Sequence, residues 1–330
     1  MLSTKLLNIS QVNHLLTKAE KMKKGNFIFK KFILVNAFFE PSTRTSLSFE
    51  SAAYRLGGKV ITFNKDVSSI KKGESYKDTV QTLACYGDIL VIRHPEKGAV
   101  EQAGNISPIP VINAGDGDGE HPTQGLLDLF TIREQLQKRC FHHPLVYLEK
   151  NHHPQSYDPY NILFVGDIQR SRTIHSLLHL LLLYKPFNIY FLPYKGCEPE
   201  ESIVSLIQEN NIDSNGPIVL NKENIDWRRF QVIYSTRLQK ERYEEGDEKK
   251  PDIILNKEIF NEMSKTSIVL HPLPRNEELP PSIDNNKRCG FIDQMKNGVF
   301  VRMALLDDFL QDSDYEQKNV EVNIHTFDLV

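Results

Sequence analysis

The chain has 330 residues, of which 40% are hydrophobic and 25% are charged, and its formal net charge is −3. This length exceeds the size at which one hydrophobic core usually stops growing, so more than one domain is predicted. The near-neutral charge excludes a global attraction to nucleic acid or to an anionic membrane, and any affinity for anions must be local.

A first helix is predicted where apolar residues recur at helical spacing from Val12 to Ala19, with Ser10 as its candidate N-cap. This segment lacks the apolar core of a signal peptide. The most apolar run, residues 177–184, is much shorter than the ~20 residues of a membrane span and is interpreted as a buried helix.

Strands alternate with helices along the rest of the chain. In the first half, strands are predicted near residues 32–39, 59–63, 88–92 and 109–113, and helices near 46–56, 74–86 and 121–138. In the second half, strands are predicted near 161–166, 187–192, 218–220, 231–236 and 268–270, and a last helix from about 297 to 310. The pattern predicts an α/β fold with two parallel sheets, each wrapped by helices.

Helical and strand periodicity breaks at the predicted join between the halves, residues 138–160, which contain the pairs His142-His143 and His152-His153. Imidazoles are common metal ligands, but adjacent histidines point in different directions and the flanking prolines suit a solvated loop. An interdomain insertion is the preferred interpretation. The four cysteines, Cys85, Cys140, Cys197 and Cys289, have no paired spacing, which predicts reduced thiols in the cytoplasm.

A hydroxyl-rich turn, Ser42-Thr43-Arg44-Thr45, lies between a buried strand and a helix. Backbone N–H groups of a helix N-terminus attract anions, the hydroxyls add donors, and Arg44 adds a planar fork that fits a phosphate. The segment predicts a phosphate site, although the same residues could serve as a helix cap beside a surface arginine.

Three further polar segments in the first half each follow a predicted strand: residues 68–75, 93–95 and 113–124. The carboxyl ends of parallel strands gather at one edge of a sheet, which is the usual ligand crevice. In the second half, residues 167–176, 234–242 and 271–275 follow strands in the same way. There, Arg172, Arg237 and Gln239 supply donors that fit a ligand with two carboxylates and would repel an ammonium side chain.

In this order, Ser-Thr-Arg-Thr (42–45), Lys-Gly-Glu-Ser (72–75), Arg-His-Pro (93–95) and His-Pro-Thr-Gln (121–124) resemble the carbamoyl phosphate half of the carbamoyltransferases. The second half resembles the aspartate-binding half of the aspartate enzymes, because His-Pro-Leu-Pro (271–274) stands where ornithine enzymes carry His-Cys-Leu-Pro. The resemblance covers roughly residues 1–316, apart from the insertion.

The resemblance implies two αβα domains with the active site in the cleft between them. The carbamoyl phosphate domain is expected at 1–137 and the aspartate domain at 161–290, with a helix inside 291–316 packing back on the first domain and a tail at 317–330. The implied reaction converts carbamoyl phosphate and L-aspartate to N-carbamoyl-L-aspartate and phosphate, in pyrimidine synthesis, without a metal or a cofactor.

The resemblance also assigns roles to individual residues. The carbamoyl phosphate site is expected to comprise Ser42, Thr43, Arg44, Thr45, Ser68, Arg93, His121, Gln124 and the backbone carbonyls of Pro272 and Leu273. The aspartate site is expected to comprise Lys72, Arg172, Arg237 and Gln239. The groups expected to act in catalysis are Arg44, Thr45, Lys72, Arg93 and His121. Glu40 is expected to pair with Arg172 and Arg242 when the domains close.

Charge develops on the carbonyl oxygen as an amine attacks, so the reaction needs oxyanion donors more than a base. By resemblance, Thr45, Arg93 and a neutral His121 donate to that oxygen, and the departing phosphate accepts the proton. The Leu273–Pro274 bond is predicted to be cis, because two consecutive carbonyls must face one ligand and X–Pro bonds make cis accessible.

In the resembled family the segment of Ser68 and Lys72 reaches the site of an adjacent subunit, which implies a homotrimer; a solvated turn is the alternative. Regulatory chains or other enzymes of the pathway are further candidate partners. Ser46 replaces a common second arginine, and Gln169-Arg170-Ser171 replaces Lys-Tyr-Gly, which leaves the strength of closure open. A catalytically silent scaffold, an enzyme for another amino acid, and a nucleotide-binding protein remain alternatives, although Gly-x-Gly-x-x-Gly is missing.

Overall fold

The computed structural model describes residues 1–139, 160–184, 187–210, 218–244 and 249–312. The predicted insertion with its paired histidines, and the predicted tail, lie almost wholly outside the described residues. The described part forms two parallel sheets with helices on their faces, as the sequence predicted.

The first sheet contains four strands in the order β2-β1-β3-β4: β1 (Ile33–Phe38), β2 (Lys59–Asn64), β3 (Ile89–His94) and β4 (Val111–Asp116). Neighbouring strands are parallel throughout. The helices of this half are α1 (Ile9–Lys23), α2 (Thr43–Arg55), α3 (Tyr76–Ala84), α4 (Ala99–Ile106) and α5 (Pro122–Arg139).

The second sheet contains five parallel strands in the order β7-β6-β5-β8-β9: β5 (Tyr160–Gly166), β6 (Phe187–Pro193), β7 (Ile218–Val219), β8 (Val232–Ser235) and β9 (Ile268–Leu270). Its helices are α6 (Arg172–Leu183), α7 (Glu201–Asn210) and α8 (Lys257–Glu262), and α9 (Phe291–Asp312) follows.

The structure corrects several predicted boundaries. Helix α1 is capped by Asn8, whose side chain accepts from the backbone N–H of Gln11, and the Gln11 side chain accepts from the backbone N–H of Asn8. Ser10, the predicted N-cap, therefore lies inside the helix. Strands β3 and β4 continue into residues that were predicted as loops, 93–94 and 113–116. Helix α4 was missed because only Ala99, Val100 and Ala103 are buried in its eight residues.

Helix α9 connects the two halves, because different faces of it enter different hydrophobic clusters. Met303 and Leu306 pack with residues of the first sheet such as Leu34. Val301 and Leu305 belong to the cluster that contains α5, α6 and β5. Burial of these side chains removes apolar area from water and fixes the halves around a shared core. In the described part, no helix is long and apolar enough to cross a membrane.

Candidate functional site

A cleft of about 1130 Å³ lies between the two halves, at the carboxyl ends of both sheets. Fourteen of the predicted site residues line it: Glu40, Ser42, Thr43, Arg44, Thr45, Arg93, His121, Gln124, Arg172, Arg237, Gln239, Arg242, Pro272 and Leu273. In each sheet the strand order reverses beside the cleft, next to β1 and β3 in the first and next to β5 and β8 in the second. Crevices at such reversals are the usual ligand sites of open α/β sheets.

The hydroxyl-rich turn forms the start of α2. Ser42 is the N-cap residue in extended conformation, but its hydroxyl makes no capping bond, so it stays available to a ligand. The backbone N–H groups of Thr43, Arg44 and Thr45 belong to the first turn and have no partner within the helix. Burial, and secondarily the nearby Arg237, lowers the pKa of Arg44. The turn therefore presents an anion site to the cleft.

Glu40 links the two halves. Its Oε1 lies 2.7 Å from an Nη atom of Arg93, at the end of β3, and 3.0 Å from an Nη atom of Arg172, at the start of α6. The predicted pairing with Arg172 is present. In the described part, Arg93 is the second partner of Glu40, and the Arg242 guanidinium donates to the Arg170 carbonyl at 2.6 Å. The pairing of Glu40 with Arg242 on domain closure stays a prediction.

His121 is buried and lies beside Thr45, with its Nε2 3.4 Å from the Thr45 hydroxyl. Its Nδ1 is buried without a hydrogen-bond partner in the described part, and so is Nε of Arg93. Burial lowers the pKa of His121 well below its ordinary value, and Arg172 and Arg93 act in the same direction. The imidazole is therefore neutral at physiological pH.

The segment after β8 carries the predicted carboxylate ligands. The Arg237 guanidinium is held by the carboxylate of Glu241, with one contact at 2.9 Å, and by the Leu238 carbonyl at 2.9 Å. The backbone N–H of Gln239 donates to Asp167 at 2.9 Å, and its side-chain amide donates to the Arg237 carbonyl at 3.1 Å. Glu241 raises the pKa of Arg237 through their hydrogen bond. These bonds hold the segment in place, and the side chains of Arg237 and Gln239 both line the cleft.

The turn after β9 is fixed by His271. The backbone N–H of Leu273 donates to His271 Nδ1 at 2.9 Å, so Nε2 carries the proton that bonds to Glu278 at 3.1 Å. Leu273 has φ of 58°, in the left-handed region, and the Leu273–Pro274 bond is cis, as predicted. Pro272 and Leu273 both line the cleft.

Ser68 and Lys72 are not brought to this cleft. They lie in and beside a 3₁₀ turn, Ser69–Lys72, and the Ser68 hydroxyl donates to the Lys65 carbonyl at 2.8 Å. Lys72 is exposed. Their predicted role therefore depends on a neighbouring subunit.

Several polar residues that line the cleft were not predicted as site residues, among them Arg170, Gln294 and Arg302. Arg302, on α9, is buried, donates to Ser48 at 2.8 Å and lies over the ring of Phe49. An arginine inside the apolar run 299–306 was the signal that could have found it. Gln294 carried no comparable signal, because its role depends on partners distant in sequence. No cluster of metal-ligating side chains occurs within the described ranges.

Family models match both halves. The model for the aspartate/ornithine carbamoyltransferase carbamoyl-P binding domain matches residues 1–134, and the model for the Asp/Orn binding domain matches residues 158–308. Together the two models cover most of the described chain and define a carbamoyltransferase. The chain belongs to the aspartate/ornithine carbamoyltransferase family.

Curated relatives are aspartate carbamoyltransferases or larger proteins. The chain is 37% identical over 295 residues to a chloroplastic aspartate carbamoyltransferase of Arabidopsis thaliana, covering 88% of this chain and 70% of that protein. It is 38% identical over 315 residues to the multifunctional protein CAD of Squalus acanthias, covering 93% of this chain. The chain spans only 13% of that multifunctional relative.

Solved structures agree with the fold. The catalytic subunit of M. jannaschii aspartate transcarbamoylase has a TM-score of 0.80 at 34% identity, covering 95% of this chain and 98% of that one. The Trypanosoma cruzi enzyme in complex with carbamoyl phosphate has a TM-score of 0.79 at 34% identity, covering 93% and 94%. The predicted fold class and the predicted resemblance to aspartate carbamoyltransferases are confirmed.

We expect the His121 imidazole to stay neutral at pH 6, because burial and neighbouring guanidinium groups disfavour its charged form. Nitrogen-15 NMR of histidine-labelled protein between pH 8 and 5.5, with His121→Gln for assignment, measures this. The same protein in urea is the control, since its histidines should titrate near ~6.5. A His121 pKa of about 6.5 in the folded protein would contradict its assignment as a neutral donor.

Proposed function

We propose that this chain catalyses transfer of the carbamoyl group from carbamoyl phosphate to L-aspartate, giving N-carbamoyl-L-aspartate and phosphate in pyrimidine synthesis. One observation carries the proposal: Arg44 of the hydroxyl-rich turn and Arg237 of the segment after β8 line the same cleft, from opposite halves of the chain. A phosphate and a dicarboxylate bound in one cleft would stabilise these opposed cations. A neutral or cationic second substrate would not stabilise these cations.

The phosphate turn holds the leaving group. Ser42, Thr43, Arg44 and Thr45 offer hydroxyl, backbone and guanidinium donors to the phosphoryl oxygens. These donors are fixed by the start of α2, so they need little reorganisation when charge transfers to the phosphate. Fixed donors of this kind lower the barrier more than mobile ones.

Thr45, Arg93 and His121 surround the carbonyl oxygen. The aspartate α-amine attacks the carbonyl carbon, a C–N bond forms, and the oxygen becomes negatively charged before the C–O bond to phosphate breaks. Thr45, Arg93 and His121 all line the cleft, so an oxyanion that forms there would accept from their donors. The departing phosphate accepts the amine proton, and Pro272 and Leu273 carbonyls accept from the N–H groups.

Arg172, Arg237 and Gln239 bind the aspartate carboxylates. Arg172 already lies at the cleft wall, bound to the Gly117 carbonyl at 2.6 Å and to Glu40. Paired guanidinium bonds require a carboxylate at a set distance from the reacting amine. A longer side chain is displaced from that position, and an ammonium group is repelled.

The proposed active unit is a homotrimer in which Ser68 and Lys72 enter the cleft of an adjacent copy. Both residues lie outside the cleft of their own chain, and the segment around them is exposed. Large apolar side chains on α2 and β2, namely Leu47, Tyr54 and Ile61, are 57%, 59% and 40% exposed. Contact with another copy would remove this apolar surface from water.

The proposed location is the cytoplasm. Cys85, Cys197 and Cys289 are free in the structure, which suits a reducing compartment. The chloroplastic relative shows that related enzymes work elsewhere. Multifunctional relatives support pathway enzymes as candidate partners, and regulatory chains are the second class of candidate.

We expect Arg44→Ala to lower the rate of carbamoyl transfer about 10²- to 10³-fold, because one preorganised donor to the phosphate is lost. Steady-state kinetics with carbamoyl phosphate and aspartate measure this. Arg55→Ala is the matched control, since Arg55 is exposed at the other end of α2. An Arg44→Ala rate within threefold of the unmutated protein would remove the phosphate assignment.

Mixing inactive Lys72→Ala protein with inactive His121→Ala protein should restore part of the activity, because some interfaces then hold one complete site. Arg44→Ala mixed with His121→Ala is the control, since both residues belong to the cleft of one chain. Native mass spectrometry verifies that subunits exchange. Exchange without recovered activity would show that Lys72 does not act in a neighbouring site.

Arg237→Gln should reduce kcat/KM for aspartate about 10- to 100-fold, because a charged pair of hydrogen bonds becomes a neutral one. The unmutated protein should use glutamate and ornithine poorly. Initial rates with the three amino acids test both statements, with the exposed Arg228→Gln as control. Comparable rates with ornithine in the unmutated protein would overturn the substrate assignment.

A further inference from the structure

Asp128 is a fully buried carboxylate that the mechanism above leaves unused. It lies on α5, one turn after Gln124. Its Oδ1 accepts from Nε2 of Gln124 at 2.8 Å and from Nε2 of Gln294 at 2.6 Å, and its Oδ2 accepts from the Tyr234 hydroxyl at 2.7 Å. The three donors come from α5, α9 and β8, so the carboxylate lies where both halves of the chain meet.

The direction of these hydrogen bonds follows from one backbone group. The backbone N–H of His271 donates to Oε1 of Gln294 at 3.0 Å. An N–H group cannot accept, so the Gln294 oxygen must face His271 and its NH₂ must face Asp128. Oδ1 of Asp128 is therefore an acceptor for Gln294, and the NH₂ group of Gln124 donates to the same oxygen.

Burial raises the pKa of Asp128 to about 7, whereas the bonds from Tyr234, Gln294 and Gln124 act in the opposite direction. A proton taken up by this group belongs on Oδ2, because two amide N–H groups face Oδ1. The acceptor role of Oδ1 toward Gln124 is thus the same in both protonation states.

We propose that Asp128 is a positioning residue that holds the Gln124 amide with its carbonyl oxygen toward the acyl group of carbamoyl phosphate, where it accepts from the carbamoyl NH₂. This inference rests on the proposed function. Gln124 lines the cleft, and its amide is planar, so an NH₂ fixed on Asp128 leaves the oxygen on the opposite side.

The same chain of hydrogen bonds reaches the turn that carries the Pro272 and Leu273 carbonyls. It runs from Gln124 through Asp128 and Gln294 to the backbone of His271, directly before the Pro272 and Leu273 carbonyls. These carbonyls are assigned to the carbamoyl NH₂ and the incoming amine. One network therefore orients acceptors from both halves toward one group of the substrate.

This arrangement should select an amide over a methyl group of similar size. Acetyl phosphate carries CH₃ where carbamoyl phosphate carries NH₂, so it cannot donate and would leave the fixed acceptors unpaired. If Gln124 could rotate its amide freely, its contribution to that selection would be lost. Binding of the two acyl phosphates thus reports the orientation of Gln124.

The test compares binding of carbamoyl phosphate and acetyl phosphate by calorimetry at low temperature, without aspartate, in the unmutated protein and three variants. In Asp128→Ala, carbamoyl phosphate should bind about tenfold more weakly, whereas acetyl phosphate should change less than twofold. Asp128→Asn keeps an acceptor at Oδ1 and should restore the preference. Tyr234→Phe removes only the donor to Oδ2 and should leave the preference unchanged.

Equal weakening of both ligands in folded Asp128→Ala, or no change in either, would overturn the positioning role. Neutron diffraction on the unmutated protein does not depend on whether the variant folds. Deuterons on the Gln124 nitrogen that faces Asp128 support the inference, and an oxygen at that position overturns it. If the unmutated protein binds neither acyl phosphate, the proposed function itself fails.

Discussion

The ion pairs of Glu40 are the interaction on which the site depends. Among the described residues, seven arginines line the cleft together with three carboxylates, those of Glu40, Asp118 and Glu241. Burial lowers the pKa of Arg93 to about 9, with Arg172 acting in the same direction and Glu40 opposing both. Glu40 bonds to Arg93 of the first half and to Arg172 of the second, so it holds together two groups that otherwise repel. The geometry of the cleft follows from this bridge.

The remaining excess of positive charge is the physical basis of substrate binding. Cationic groups that are close together in a partly buried cleft repel one another, and an anionic ligand offsets that cost. The Arg172 guanidinium disfavours the charged forms of both Arg93 and His121 in this way. Their positions are set by β3 and by the start of α5, which are rigid elements. The cleft is therefore organised for anions before any substrate arrives, which is the condition for effective electrostatic catalysis.

Departures from the resembled family have local structural consequences. Ser46, where many relatives carry arginine, accepts a hydrogen bond from the buried Asn36 at 2.9 Å, and Asn36 also donates to Glu50. Arg170 adds a cation to the second half, where it lies over the ring of Tyr243 and its carbonyl accepts from Arg242. In this structure the second partner of the Glu40 carboxylate is Arg93. The hydroxyl-rich turn keeps its residues.

The sequence by itself determined the two parallel sheets, the hydroxyl-rich turn and fourteen of the residues that line the cleft, because strand–loop–helix order places polar loops at one sheet edge whatever the details of packing. It also predicted the cis bond before Pro274. Only the tertiary structure decided that Arg93 pairs with Glu40, that Arg302 and Gln294 reach the cleft, and that Asp128 joins α5, α9 and β8. These contacts link residues more than fifty positions apart, and their direction depends on which donor faces which acceptor. The local sequence pattern does not indicate which distant residues meet or which way their hydrogen bonds run, because both are fixed only when the two halves fold around a shared core.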